Sequence, residues 1–170
     1  MVIYKHIDNL KVTAKFSEDS KFRYKLEAIK TDRIDSDRKT VCVIMQNPSD
    51  ANENVADKSV QFIEKLIFDE DYKEFENVCK IIVVNQFAYI RKKGFKGDYG
   101  AIGPENDKYV KSAINESNII LVAWGKSNSY RDRQEAINCK LRLTNNKKMY
   151  KTKKHPSRGF YKNFISDYTP

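Results

Sequence analysis

The chain has 170 residues, 40% of them hydrophobic, which is enough for one domain with a real core and too short for two ordinary ones. No apolar run approaches the roughly 18 residues of a membrane span, and Met1–Leu10 lacks the features of a secretory signal, so a cytoplasmic protein without a membrane partner is expected. The formal charge of +9 is unevenly spread: residues 1–125 hold 20 Lys+Arg and 20 Asp+Glu, residues 126–170 hold 12 and 3.

A concentrated basic region is either a solvated face or a footprint for a polyanion such as nucleic acid. Three cysteines, Cys42, Cys79 and Cys139, are widely separated and form no C-x-x-C pair. Neither a disulfide framework nor a metal cluster is indicated, and no cofactor is expected.

In chain order, Phe22–Ile29 alternates apolar and polar residues, which predicts an exposed antiparallel edge strand. Val41–Met45 is a continuous apolar run, as expected of a strand buried on both faces of a parallel sheet. Asp50-Ala51-Asn52-Glu53 then reads as a capping box, ahead of Val60, Ile63, Leu66 and Ile67 at helical spacing. Ile81–Val84 is a second buried strand. Gly103-Pro104-Glu105 starts a second helix, with Tyr109, Val110, Ala113 and Ile114 as its apolar stripe. Ile119–Trp124 is a third strand, and a weakly amphipathic helix through Ala136, Ile137 and Leu141 follows Ser127. The alternation βαβαβ predicts an α/β sandwich, in which ligands bind beyond the carboxyl ends of the parallel strands.

The residues after each strand are therefore the candidates. Gln46-Asn47-Pro48-Ser49-Asp50 follows the first; it is a turn by default. Asn85-Gln86-Phe87 ends the second, with an amide able to bond a planar ligand edge and an aromatic able to stack. Trp124-Gly125-Lys126-Ser127 ends the third and opens a helix whose N-terminal amides could meet a phosphate. Lys153-Lys154-His155-Pro156-Ser157-Arg158-Gly159 places one of two histidines in the densest basic stretch. The other, His6, has no motif around it and reads as incidental.

Taken together, strand-Gln46-Asn47-Pro48-Ser49, strand-Asn85, strand-Trp124-Gly125 and His155-Pro156-Ser157 resemble the uracil-DNA glycosylase superfamily. Asn47–Ser49, Val83–Phe87, Gly103–Asp107 and Ala123–Gly125 also resemble, more closely in local sequence, a family catalogued as a domain of unknown function. The resemblance spans Arg23 to Tyr161. It implies a single three-layer α/β/α sandwich with a central, mainly parallel four-stranded sheet.

It also implies roles. Asn47 stands where the superfamily positions a water, and His155 where it donates a hydrogen bond to the carbonyl oxygen of the departing base. Asn85 would read the base edge, beside Gln46, Ser49 and Phe87; Phe62 is a weaker choice of stacking aromatic. Lys153, Lys154, Ser157 and Arg158 would grip phosphates, with Lys126, Ser127 and Asn128 at another, and Arg158–Tyr161 falls at the duplex-inserting loop. Ser49 replaces a bulky Tyr that packs against C5 of uracil, so the expected substrate is a pyrimidine enlarged at C5, such as hydroxymethylated or glucosylated cytosine of phage DNA. The expected protein is thus a monomeric, monofunctional DNA glycosylase in antiviral defence, since no Lys is singled out as a Schiff-base nucleophile. The alternatives are a nucleic-acid-binding module of the same fold and an N-glycosidase acting on free nucleosides or nucleotides. Asp50, Glu53 and Asp57 fit helix-start chemistry better than the metal cage of a nuclease.

Overall fold

In a computed structural model, residues 2–33, 37–125 and 129–170 are described. Among these residues, one seven-stranded sheet is flanked by three α-helices. The strands are β1 (Leu10–Phe16), β2 (Arg23–Lys30), β3 (Lys39–Met45), β4 (Val78–Asn85), β5 (Ile119–Val122), β6 (Lys148–Thr152) and β7 (Ile165–Asp167). Their spatial order is β1-β2-β4-β3-β5-β6-β7. The inner four, β4-β3-β5-β6, are parallel, while β2, β1 and β7 join antiparallel.

The four-stranded expectation is thereby corrected to a mixed sheet of seven. β1 was legible in principle, since Leu10, Val12, Ala14 and Phe16 alternate, but the Lys-rich β6 carries no strand signature and depends on its neighbours. β2 is also not an edge. It lies between β1 and β4, and Tyr24, Leu26 and Ala28 are buried, so its alternation reflects two unequal faces inside the sheet.

The apolar runs behave as strands covered on both sides. From β3, Val41, Val43 and Met45 enter a core closed by α1 (Lys58–Phe68), which contributes Val60, Ile63, Leu66 and Ile67. Cys42 and Ile44 enter the opposite core under α2 (Asn106–Glu116) and α3 (Arg131–Arg142), through Val110, Ala113, Ile114, Ile137 and Leu141. At about 1.5–3 kcal/mol for each fully buried aliphatic side chain, these two layers dominate the favourable side of folding. Helix α1 begins later than the expected capping box. Asp57 is its N-cap and accepts Val60 N–H at 2.8 Å, whereas Asp50 ion-pairs with Lys92 at 2.6 Å. Among the described residues, no helix is long and apolar enough to cross a membrane.

His6 is not incidental. Its Nδ1 lies 2.5 Å from Glu64 of α1 and its Nε2 2.8 Å from the Asn52 carbonyl. Glu64 is buried and also accepts Ile7 N–H at 3.2 Å, so this group fastens the N-terminal segment to α1. Burial opposes charging of His6, but the bonds to Glu64 and Asn52 prevail and raise its pKa.

Candidate active site

Strand order locates the site. From β3 the chain crosses through α1 to β4 on one side, and then returns through α2 to β5 on the other side of β3. The carboxyl ends of β3 and β5 thus diverge at a topological switch point, where an open α/β sheet forms a crevice. A cleft of about 950 Å³ lies there. Met45 lines it from the end of β3, Gln46, Asn47, Ser49, Asp50 and Asp57 from the segment that follows, Trp124 and Gly125 from the segment after β5, and Lys154, His155, Ser157 and Arg158 from the loop after β6. Asn47 and His155, 108 residues apart in sequence, share one cavity.

The Asn47 amide is held firmly. Its Nδ2 donates to the Arg91 carbonyl at 2.7 Å and to the Pro48 carbonyl at 3.2 Å, and among the described residues its Oδ1 has only a long contact, 3.4 Å, from Gln46 Nε2. Both donors are occupied, so the exposed chemistry of this amide is an acceptor oxygen. The Ser49 hydroxyl donates to Asp57 Oδ2 at 2.6 Å, and the other oxygen of Asp57 caps α1.

His155 opens a short 3-10 turn, Pro156–Arg158, and its Nδ1 accepts the Ser157 N–H at 3.2 Å. The Ser157 hydroxyl is 3.0 Å from the same nitrogen. An accepting Nδ1 assigns the proton to Nε2, so the ring is a neutral hydrogen-bond donor. Burial lowers its pKa; Asp57 opposes the shift and Arg158 adds to it. Gly125 lets the two loops meet. Its φ is +78°, and a Cβ there would lie 3.0 Å from the His155 backbone nitrogen, which explains a Gly after Trp124.

Two expected base-binding residues do not line the cleft. β4 lies on the far side of β3 from β5, so Asn85 stands beside Met45 in register and is fully buried. Among the described residues, both polar atoms of its side chain lack a hydrogen-bond partner, as do those of Gln86 and two nitrogens of buried Arg23. Arg23 bonds the Ala51 carbonyl at 2.8 Å; burial brings its pKa down to about 10, against the pull of Asp57. Phe87 is packed edge-on against Phe95 and Tyr130 rather than open for stacking. Phe62 is also covered, with Tyr161 stacked on it at 5.0 Å and Gly159 against its ring. Lys153 is exposed outside the cleft lining, and Lys126, Ser127 and Asn128 lie outside the described residues.

Other lining residues were missed by the sequence reading. Lys58, Arg91 and Lys92 add cations, Asp57 adds a carboxylate, and Val2, Ile3 and Tyr4 form part of the wall. Asp57 had a local signal, the helix-cap spacing to Val60. The N-terminal wall had none, because it depends on the His6–Glu64 contact and on an antiparallel bridge between Tyr4 and Ala56.

Fold and site define an α/β protein with a cation-rimmed cleft at a switch point, carrying an oriented amide and a neutral histidine. The chain belongs to the family described as protein of unknown function (DUF1643), whose model matches residues 23–158. No curated protein and no solved structure matches it.

Proposed function

We propose that the protein is a DNA glycosylase of the uracil-DNA glycosylase type, acting on a pyrimidine enlarged at C5. The observation that carries this reading is the convergence of Asn47, Ser49 and His155 in one cation-rimmed cleft. Hydrolysis breaks the bond between sugar C1′ and the base nitrogen, and the electron pair leaves with the base. The cationic sugar takes a water oxygen, and the added water loses a proton to solvent while the base gains one. With its donors occupied, Asn47 Oδ1 can accept a hydrogen bond from that water and orient it toward C1′. A dissociative transition state needs an oriented water more than a strong base.

His155 supplies the second requirement. Its Nε2–H would donate to the carbonyl oxygen on which charge develops, a contribution of ~3–4 kcal/mol if comparable to an oxyanion-hole donor. Remaining neutral avoids both a desolvated charge and transfer of the proton before the bond breaks. The unpartnered Asn85 amide would read the edge of a base that penetrates past Met45. Small Ser49 at the wall leaves space for a C5 substituent. Phe160 and Tyr161, 42% and 37% exposed, follow Arg158 on the loop from which an apolar wedge would enter a duplex. Flipping costs a few kcal/mol, offset by pocket and phosphate contacts.

The test is incubation with phage DNA containing glucosylated or hydroxymethylated cytosine, with released base and abasic sites measured by mass spectrometry. Wild type should release the base, and Asn47→Ala and His155→Ala should not. Ready excision of uracil with the modified DNAs left intact would reject the C5 preference, and no release from any DNA would reject the glycosylase.

A second reading, a nucleic-acid-binding module, is favoured by the state of the cleft carboxylates. Asp57 is engaged by Ser49 and the α1 cap, and Asp50 by Lys92, leaving neither as a free base. A pure binder would keep affinity and biological effect in the Asn47→Ala, His155→Ala double variant.

A further inference from the structure

The charge count assigns the whole basic surplus to residues 126–170, but folding brings a second basic segment to the same cleft. Arg91-Lys92-Lys93-Gly94-Phe95-Lys96 holds four cations and no carboxylate. Arg91 and Lys92 share the cleft lining with Lys154 and Arg158. All four cations of the segment are exposed, so each is available to an external anion.

This loop is built rather than draped. The Phe95 ring packs edge-on against Phe87 at 5.2 Å and Tyr130 at 5.9 Å. Gly97 lies so close to the Tyr130 ring that a Cβ would stand 2.3 Å from it. Arg91 N–H donates to the Pro48 carbonyl at 3.0 Å, and Arg91 Nε donates to the Lys93 carbonyl at 3.0 Å. An anchored backbone with projecting cations loses little conformational freedom on meeting a polyanion.

We propose that the loop from Arg91 to Gly97 is a second phosphate-binding arm, and that a nucleic-acid strand lies between it and the Lys154–Arg158 arm. The inference rests on the nucleic-acid reading of the cleft. Each arm adjoins one group of the proposed chemistry: Arg91 holds the Asn47 amide through its carbonyl, and Lys154 directly precedes His155. Phosphates on the two sides of one nucleotide would thus be held by different arms. Lys93 and Lys96 lie outside the cleft lining, so a ligand engaging the whole arm must extend past the cleft, as a polymer does and a free nucleotide does not. The carboxylate paired with this arm is Asp50, 2.6 Å from Lys92 with both side chains more than half exposed, an arrangement that a phosphate can displace at little cost; Asp57 adds a weaker attraction on Lys92 from the same cleft.

The test is fluorescence anisotropy with a short labelled DNA duplex of unmodified bases, titrated at several salt concentrations. Each phosphate that a protein cation neutralises contributes ~0.9 to the slope of log affinity against log salt, so changing Lys92, Lys93 and Lys96 together to Gln should make that slope shallower by about two to three. Asp50→Asn should act in the opposite direction and tighten binding a few-fold, which a folding defect cannot imitate. An unchanged slope in the triple variant, or weaker binding by Asp50→Asn, overturns the arm. Base release by wild type alongside an unchanged slope would reject the arm and keep the glycosylase; altered slopes without base release would do the reverse.

Discussion

Replacing Gly125 with Ala tests the contact that joins the two halves of the cleft. At φ +78° an alanine occupies the left-handed region, at a cost of about 1–2 kcal/mol. The added Cβ also meets the His155 backbone nitrogen at 3.0 Å and the His155 Cβ at 3.2 Å, and backbone cannot swing aside as a flexible side chain would. Overpacking of this kind adds ~1 kcal/mol, for a total of roughly 2–3 kcal/mol. Against a stability of about 5–15 kcal/mol the variant remains folded, with a midpoint lowered by about 5–10 °C. Relief requires His155 to retreat by a few tenths of an ångström, and a shift of that kind in a positioned donor predicts a loss of base release of roughly three- to tenfold. The assays are thermal unfolding and an NMR spectrum of the imidazole resonances, readily assigned with only two histidines in the chain. The His155 signals should move while those of His6 stay. Wild-type stability together with unmoved His155 signals would refute the steric argument whatever the activity.

The same two histidines should titrate on opposite sides of their ordinary value of 6.5, His155 below it and His6 above. For His155 the stabilising contribution is fully present above 6.5 and is lost as pH falls toward its lowered folded pKa; for His6 it is fully present below 6.5 and is lost as pH rises through its raised pKa. The reverse order in an NMR titration would contradict both environments. Asn85→Leu replaces two buried polar atoms, unpartnered among the described residues, with bulkier methyl groups on the same branched skeleton. Relief of the desolvation cost offsets the overpacking, so stability should change by no more than ~1 kcal/mol while base release is abolished, and a loss of several kcal/mol in urea would show that the amide has a structural partner. Ser49→Tyr should disfavour bases enlarged at C5 relative to uracil in competition assays, and an unchanged ratio would remove Ser49 from specificity.

Much of the architecture was legible because of how burial acts on a strand. Val41–Met45, Ile81–Val84 and Ile119–Val122 are apolar without alternation, a pattern that implies cover on both faces, and each is an inner parallel strand. β6 was not legible, because Lys148-Met149-Tyr150-Lys151-Thr152 pairs with β5 and β7 on the strength of their edges rather than its own composition. His6 was unreadable for a related reason: its partner Glu64 is 58 residues away.

Local sequence by itself determined that this is an α/β protein, that polar motifs follow the strand ends, and that the chain carries a dense basic segment around His155. Strand order is a global property, and only the tertiary structure decided it. By setting β3 next to β5 it joined Asn47 to the His155 loop, and by setting β4 outside β3 it left Asn85 buried beside Met45 and off the cleft lining. The charge followed the same rule. Counting along the chain separates a neutral part from a basic one, whereas Coulomb interactions depend on distance in space, and in space Arg91 and Lys92 stand with Lys154 and Arg158.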